Sequence, residues 1–130
     1  MAEIINGISH VDAQELDDII HNPAKAGVYI IDVREPEEYV AGHIPGVPLL
    51  PMGDIPDVIE KFDKNAEYVL VCRSGRRSFE VANFFQSEGI TNVHNYLGGM
   101  LAWDKPTSVG EEHVVSEFKQ MNQLERKEHA

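Results

Sequence analysis

The segment Tyr68-Val-Leu-Val-Cys72-Arg-Ser-Gly-Arg-Arg-Ser78 holds the single cysteine of this 130-residue chain. Its first four residues are β-branched, aromatic or otherwise apolar, which is typical of a buried strand. A helical pattern of apolar and polar residues opens at Ser78 and runs to about Glu88, where Gly89 ends it. The sequence therefore predicts that Cys72 lies at the carboxyl end of a strand, in a tight loop that leads into a helix.

The surroundings of Cys72 predict a reactive thiolate. Backbone N–H groups of a loop that precedes a helix bind anions, and the helix dipole adds to this effect. Three arginines, Arg73, Arg76 and Arg77, follow within five residues, so we expect a depressed pKa and a nucleophilic sulfur. The alternative is a buried structural cysteine, the commoner role of a lone cysteine, and the three arginines argue against it.

The charge of the chain indicates the kind of partner. The formal net charge is −11, yet residues 73–77 carry three arginines and no acidic residue. A small positive island in an acidic chain predicts a local site for small anions or for partner groups presented to it. Nucleic acid requires a broad basic surface and is not expected as a partner. The overall sign also disfavours binding to a membrane surface.

Length and composition predict one domain with a real core, since 42% of the 130 residues are hydrophobic. The sequence contains no apolar stretch of about 20 residues, and its N-terminus does not resemble a signal peptide. One cysteine supplies neither an internal disulfide nor a cysteine-based zinc site, and the histidines show no ligand-like spacing. We therefore expect no metal, no cofactor and a reducing, cytoplasmic location.

Strand and helix signals alternate along the chain. Their spacing predicts a three-layer α/β domain with a mostly parallel central sheet. The run 28–33 is apolar except for Asp32 and is typical of a central parallel strand. Active sites gather outside the carboxyl ends of such strands, where residues 32–34 and Cys72 would both lie. Predicted strands are 4–8, 28–33, 68–71 and 91–97, and predicted helices are 13–21, 35–42, 55–62, 78–88 and 100–104.

The character of the sequence changes after Pro106. Residues 107–110 are predicted to be a linker, and residues 111–130 form a highly charged tail. This tail is interpreted as an exposed amphipathic helix for dimerisation or docking, as a segment packed on the domain, or as a solvated end. The main domain is predicted at residues 4–106. The apolar residues that share one helical face of the tail are Val114, Val115, Phe118, Met121 and Leu124.

Four motifs occur in a fixed order. They are Asp32-Val-Arg-Glu-Pro-Glu-Glu-Tyr39, Gly42-His-Ile-Pro-Gly46, Cys72-Arg-Ser-Gly-Arg-Arg-Ser78 and Tyr96-Leu-Gly-Gly-Met-Leu-Ala-Trp103. This order strongly resembles the rhodanese homology domain in its single-domain sulfurtransferase form, over about residues 4–106. The resemblance implies that Cys72 is the catalytic residue and cycles between thiolate and persulfide. It also implies a six-residue active-site loop that binds the substrate, with Arg73, Ser74, Gly75, Arg76 and Arg77 following the cysteine.

The other motif residues are interpreted as supports. Asp32 and Arg34 are expected to form ion pairs that hold the loop, with one of the loop arginines as a candidate partner; an ordinary salt bridge is the alternative. Gly75 is expected to let the backbone turn within the loop. His43 is expected to fix a turn by hydrogen bonding, with a role as general base as the alternative.

The implied activity is transfer of sulfane sulfur from a donor such as thiosulfate to cyanide or a thiol. A second hypothesis is a persulfide relay or docking module that serves a protein partner. Phosphatases of a related fold carry Cys-x5-Arg, but here the sixth residue after Cys72 is Ser78, so the loop is too small for a phosphoryl group. Arsenate reduction needs a resolving thiol, and this chain has no second cysteine.

Overall fold

Five strands form one mixed sheet in the computed structural model, which describes residues 3–5 and 7–127. The strand order is β1-β2-β5-β4-β3. The β1–β2 pair is antiparallel and the other three pairings are parallel. This confirms the predicted α/β fold with a mostly parallel sheet. The strands are β1 (Glu3–Ile5), β2 (Ile8–Val11), β3 (Tyr29–Asp32), β4 (Tyr68–Val71) and β5 (Val93–Tyr96).

Within the described residues, four α-helices connect or cover the strands. The first begins with a capping box, in which the carboxylate of Asp12 accepts from N–H of Glu15 and the Glu15 carboxylate accepts from N–H of Asp12. The longest has 12 residues, and no helix within the described ranges is long and apolar enough to cross a membrane. The helices are α1 (Ala13–His21), α2 (Pro36–Ala41), α3 (Ile55–Val58) and α4 (Arg76–Ser87), with 3-10 turns at Pro23–Lys25, Met52–Asp54, Ile59–Lys61, Gly99–Ala102 and Met121–Leu124.

Strand β4 divides its side chains between two hydrophobic clusters. Tyr68 and Leu70 belong to a cluster that includes Phe85 of α4, whereas Val69 belongs to a cluster that includes Leu16 of α1. Successive side chains of a strand point to opposite faces, so the two clusters lie on the two faces of the sheet. The sheet is therefore the middle of three layers, as predicted.

The predicted central position of the strand at 28–33 was wrong. In the structure β3 stands at the end of the strand order and pairs with β4. Its free side is covered by an isolated parallel bridge from Asp32 to Leu49, and Ile30 and Ile31 are fully buried. The apolar run thus reflects burial on both faces of the strand. A strand at the edge of the sheet is buried in the same way when other parts of the chain cover it.

Two predicted boundaries also differ. The single strand expected at 4–8 is a hairpin, in which Gly7 turns with a φ of +80° between β1 and β2; Asn6 lies outside the described residues. Helix α4 begins at Arg76, two residues before the predicted start at Ser78. The helix therefore starts directly behind the cysteine loop, which shortens that loop.

The C-terminal segment is not an amphipathic helix. Its backbone pairs with the loop after α2, since N–H of Leu49 donates to the His113 carbonyl and N–H of Val115 donates to the Leu49 carbonyl. Val115, Phe118 and Leu124 are buried in the cluster that contains α4. The helical interpretation was wrong because spaced apolar residues also suit an irregular segment that lies across a core. Residues 128–130 lie outside the described residues, and the domain boundary at 106 stays a prediction.

Replacing Phe118 by alanine tests the contribution of this segment to the core. Phe118 is 3% exposed and its ring lies 4.8 Å from that of Phe62, so Phe118→Ala should lower the free energy of unfolding by about 3–5 kcal/mol. Val109→Ala is the control, because Val109 is 74% exposed and should change stability by less than about 0.5 kcal/mol. Urea denaturation of both variants gives the comparison. A loss of unfolding free energy in Phe118→Ala as small as that in Val109→Ala would show that the segment adds little to the core.

Candidate active site

Cys72 lies directly after β4, at the carboxyl end of the strand, as predicted. Its side chain is fully buried. The sulfur accepts a hydrogen bond from N–H of Gly75 over 3.1 Å, and Oγ of Ser78 lies 3.2 Å from it. Gly75 has a φ of +92°, and a Cβ there would lie 3.0 Å from N of Gly98. The expectation that Gly75 lets the loop turn is therefore confirmed, and the tight approach adds a second reason for glycine.

Burial alone would raise the pKa of the Cys72 thiol, but hydrogen bonds outweigh burial and the pKa lies below its ordinary value. The donors are the Ser78 hydroxyl and the backbone N–H groups of Ser78, Ser74 and Gly75. The sequence predicted this direction and attributed it to the loop amides, the helix dipole and the neighbouring arginines. The structure assigns it to the loop amides and to a hydroxyl, groups that contact the sulfur at short range.

The glycine pair after β5 supports the cysteine loop from outside. N–H of Met100 donates to the Cys72 carbonyl over 2.9 Å, and N–H of Leu101 donates to the Arg73 carbonyl over 3.0 Å. A Cβ on Gly99 would lie 2.5 Å from both carbonyl oxygens, and its φ is +56°. Two adjacent glycines are typical of a sharp turn. Only the structure shows that the turn closes on the loop.

The three loop arginines have different surroundings. Arg77 makes a two-point ion pair with Glu38 of α2, with N–O distances of 2.7 and 2.8 Å. Hydrogen bonding to Arg77 lowers the pKa of Glu38 to about 2. Arg73 and Arg76 have exposed side chains. Arg77 therefore ties α4 to α2, while Arg73 and Arg76 face solvent at the loop.

Asp32 and Arg34 pair with each other. The Arg34 guanidinium donates to both carboxylate oxygens of Asp32 over 2.8–3.1 Å, and it also donates to the Gly42 carbonyl over 2.8 Å. Both side chains are buried. The expectation of a loop arginine as a partner was wrong, because Arg77 faces Glu38 instead. The pair holds the end of α2, and its support of the cysteine loop stays a proposal.

His43 has structural partners. One ring nitrogen, Nδ1, lies 2.9 Å from the Tyr39 carbonyl, and Nε2 lies 3.0 Å from Oε1 of Glu112. The same Glu112 oxygen accepts from N–H of Gly46 over 2.9 Å. These contacts fix the turn between His43 and Gly46, as expected, and tie it to the C-terminal segment.

Three buried polar residues near the sulfur were missed by sequence reasoning. Oγ of Ser78 is hydrogen-bonded to Oδ1 of Asn95, and Nδ2 of Asn95 donates to the Gly75 carbonyl over 3.0 Å. The same Nδ2 lies 3.1 Å from Nδ1 of His10. The available signal was weak: Asn95 is a polar residue inside a predicted strand. Its partners are 17, 20 and 85 residues away in sequence.

Fold and site together define a class of protein. A buried thiol with a lowered pKa stands where a strand, a tight amide-lined loop and a helix meet. Such a loop stabilises negative charge on sulfur or on a group bound to it. The class is an α/β domain with a buried, hydrogen-bonded cysteine at the carboxyl end of a parallel strand.

The chain belongs to the rhodanese-like domain family, whose profile matches residues 12–106. It is 48% identical over 80 residues to "Putative sulfurtransferase YtwF" of Bacillus subtilis, covering 62% of this chain and 77% of the relative. It is 34% identical over 77 residues to "Thiosulfate sulfurtransferase GlpE" of Pseudomonas entomophila, covering 59% of this chain and 71% of the relative. Family and relatives support sulfur transfer as the general activity.

A solved structure supports the fold. The crystal structure of a rhodanese-like domain protein from Staphylococcus aureus matches with a TM-score of 0.67 and 36% sequence identity. The match covers 78% of this chain and 98% of that protein. The three-layer arrangement is therefore that of a rhodanese-like domain.

Replacing Gly99 by alanine tests the support of the loop. The new Cβ would collide with the Cys72 and Arg73 carbonyls, so Gly99→Ala should lose about 1–3 kcal/mol of stability and slow alkylation of Cys72 by iodoacetamide. Gly53→Ala is the matched control, because a Cβ there has no neighbour within 4 Å. Equal alkylation rates in the two variants would contradict the assigned support.

Proposed function

We propose that the chain is a thiosulfate sulfurtransferase-type enzyme that carries sulfane sulfur as a persulfide on Cys72 and passes it to cyanide or a thiol. One observation carries the proposal: the Cys72 sulfur lies among loop N–H donors and a hydroxyl that lower its pKa. A thiolate is the nucleophilic form of cysteine. The same donors suit a persulfide anion, which also carries its charge on sulfur.

The proposed reaction has two displacements. The Cys72 thiolate attacks the outer sulfur of thiosulfate; an S–S bond forms to Cys72, and the S–S bond of thiosulfate breaks with its electron pair on sulfite. Cyanide or an acceptor thiolate then attacks the outer sulfur of the persulfide. The S–S bond to Cys72 breaks, and its electron pair restores the thiolate. Atoms and charges balance without an external oxidant or reductant.

The exposed loop arginines are proposed to bind the donor. Arg73 and Arg76 have exposed side chains next to the loop, whereas Arg77 is held by Glu38. A guanidinium matches the geometry of an oxyanion group, so Arg73 and Arg76 suit the sulfonate end of thiosulfate. Ser74 and Gly75 contribute backbone N–H groups towards the sulfur.

A protein donor or acceptor is the second candidate. Leu97 and Leu101 are 42% and 65% exposed. They flank the cysteine loop, because N–H of Leu101 donates to the Arg73 carbonyl and Gly75 closely approaches the backbone of Leu97. Exposed apolar side chains beside a reactive group favour contact with a macromolecule. A persulfide relay uses the same Cys72 chemistry with a different donor or acceptor.

Sulfur loading of Cys72 is the direct test. Incubation with thiosulfate should raise the intact mass by one sulfur atom, and dithiothreitol should remove it. Cys72→Ser should show neither the mass increase nor thiocyanate formation from cyanide. The thiol is buried, so folding of the serine variant is checked by circular dichroism. Turnover by a folded serine variant would refute the mechanism, and loading only from a protein persulfide would favour the relay.

Alanine at Arg76 and at Arg77 should have different effects. Arg76→Ala should raise the KM for thiosulfate roughly 10-fold or more and leave stability unchanged, because a charge-assisted hydrogen bond to the anion is lost. Arg77→Ala should lower the melting temperature, because Glu38 loses its partner. Lys119→Ala is a control with the same change of net charge at an exposed lysine. Equal KM changes in Arg76→Ala and Lys119→Ala would refute the assigned role.

A further inference from the structure

The hydroxyl of Ser78 lies between two acceptors. Its Oγ is 3.2 Å from Sγ of Cys72 and within hydrogen-bond reach of Oδ1 of Asn95. All three side chains are buried, with at most 1% exposure. A hydroxyl has one hydrogen and donates it to one acceptor at a time. The choice of acceptor decides whether Ser78 stabilises negative charge on the sulfur.

The Asn95 amide is held with its oxygen towards Ser78. Its Nδ2 donates to the Gly75 carbonyl over 3.0 Å and lies 3.1 Å from Nδ1 of His10. His10 is 4% exposed, pairs with Asn95 across β2 and β5, and stacks on Phe79. Turning the amide over would place its oxygen against the Gly75 carbonyl, so the observed orientation is favoured.

We propose that Asn95 is a positioning residue that opposes ionisation of Cys72 by competing with its sulfur for the Ser78 hydroxyl, and that His10 holds the Asn95 amide in place. In the thiol form, S–H donates to Oγ of Ser78 and the hydroxyl donates to Oδ1 of Asn95. In the thiolate form, the hydroxyl turns to the sulfur and Oδ1 loses its donor. That loss costs energy because the oxygen is buried.

The consequence for sulfur transfer rests on the proposed function. When Cys72 carries a second sulfur, the negative charge moves to the outer atom and Sγ becomes neutral. The Ser78 hydroxyl then returns to Asn95. Competition from Asn95 therefore favours the loaded form over the free thiolate and leaves a smaller fraction of Cys72 ionised than its loop donors alone would.

Titratable and charged groups around the cluster come from three parts of the chain. His10 lies on β2, Arg76 and Arg77 begin α4, and Arg73 stands on the loop; the side chains of Arg73 and Arg76 are exposed. The charge of Arg77 interacts with Cys72. The variants proposed below leave all of these groups in place, so a change in thiol ionisation reports on the hydroxyl.

The pH profile of Cys72 alkylation by iodoacetamide tests the competition. Asn95→Leu removes the competing oxygen and keeps a side chain of similar size. The pH at which the alkylation rate is half-maximal (the midpoint) should therefore fall by about one pH unit. Ser78→Ala should raise the midpoint. In the Ser78→Ala background, Asn95→Leu should have no further effect, because the hydroxyl that transmits it is absent. His94→Ala, on the same strand and bonded to Ser9 and Glu67, is the control and should leave the midpoint unchanged.

Three results overturn the proposal. An equal shift from Asn95→Leu in both backgrounds would show that Asn95 acts through the loop backbone. An unchanged or higher midpoint in the single variant would show that Asn95 does not compete. If Asn95→Leu does not fold, Asn95→Ala takes its place. The unmodified protein gives an independent readout: the Asn95 side-chain amide resonances should move with pH at the alkylation midpoint, and constant resonances overturn the proposal.

The experiment also separates this inference from the proposed function. The pH dependence of the alkylation rate measures ionisation of the Cys72 thiol and does not require thiosulfate. Absence of sulfur loading together with the expected midpoints would refute the proposed function and support the role of Asn95. Normal loading together with an unchanged midpoint in Asn95→Leu would support the function and refute the inference.

Discussion

Burial of the Cys72 sulfur is the constraint on which the site depends. A buried thiol loses water as a donor and resists ionisation unless protein groups replace that water. Here the loop amides and the Ser78 hydroxyl replace it. These donors reach the sulfur only if the chain turns sharply after β4 and enters α4 within a few residues. The left-handed backbone at Gly75 makes that turn possible.

The loop is held by several contacts from separate parts of the chain. N–H groups of Met100 and Leu101, which follow the glycine turn, donate to two loop carbonyls, and Asn95 of β5 donates to a third. The Arg77–Glu38 pair ties the start of α4 to α2. Most of these contacts end on backbone carbonyls, so they constrain the path of the loop rather than one side chain. A rigid path keeps the donors aimed at the sulfur when its charge changes.

The groups that contact the thiol differ from the groups proposed to bind the donor. Amides and a hydroxyl contact the sulfur, whereas Arg73 and Arg76 stand exposed at the rim. Their charges are screened by solvent and act weakly on the buried sulfur. The rim is therefore free to suit a particular donor, small or macromolecular, while the ionisation of Cys72 stays under the control of the buried contacts.

The strand–loop–helix around Cys72, the turn at Gly75 and the three-layer fold were predictable from local patterns, because apolar periodicity and glycine act over a few neighbouring residues. The contacts between distant residues were not predictable in this way. Glu38 and Arg77 are 39 residues apart and His10 and Asn95 are 85 apart, and no local pattern specifies such pairs. The conformation of the C-terminal segment was also not specified locally, since its apolar spacing suits a helix as well as an irregular segment packed on the core. In the folded protein Phe118 of this segment packs against Phe62, and this tertiary contact accounts for the irregular path.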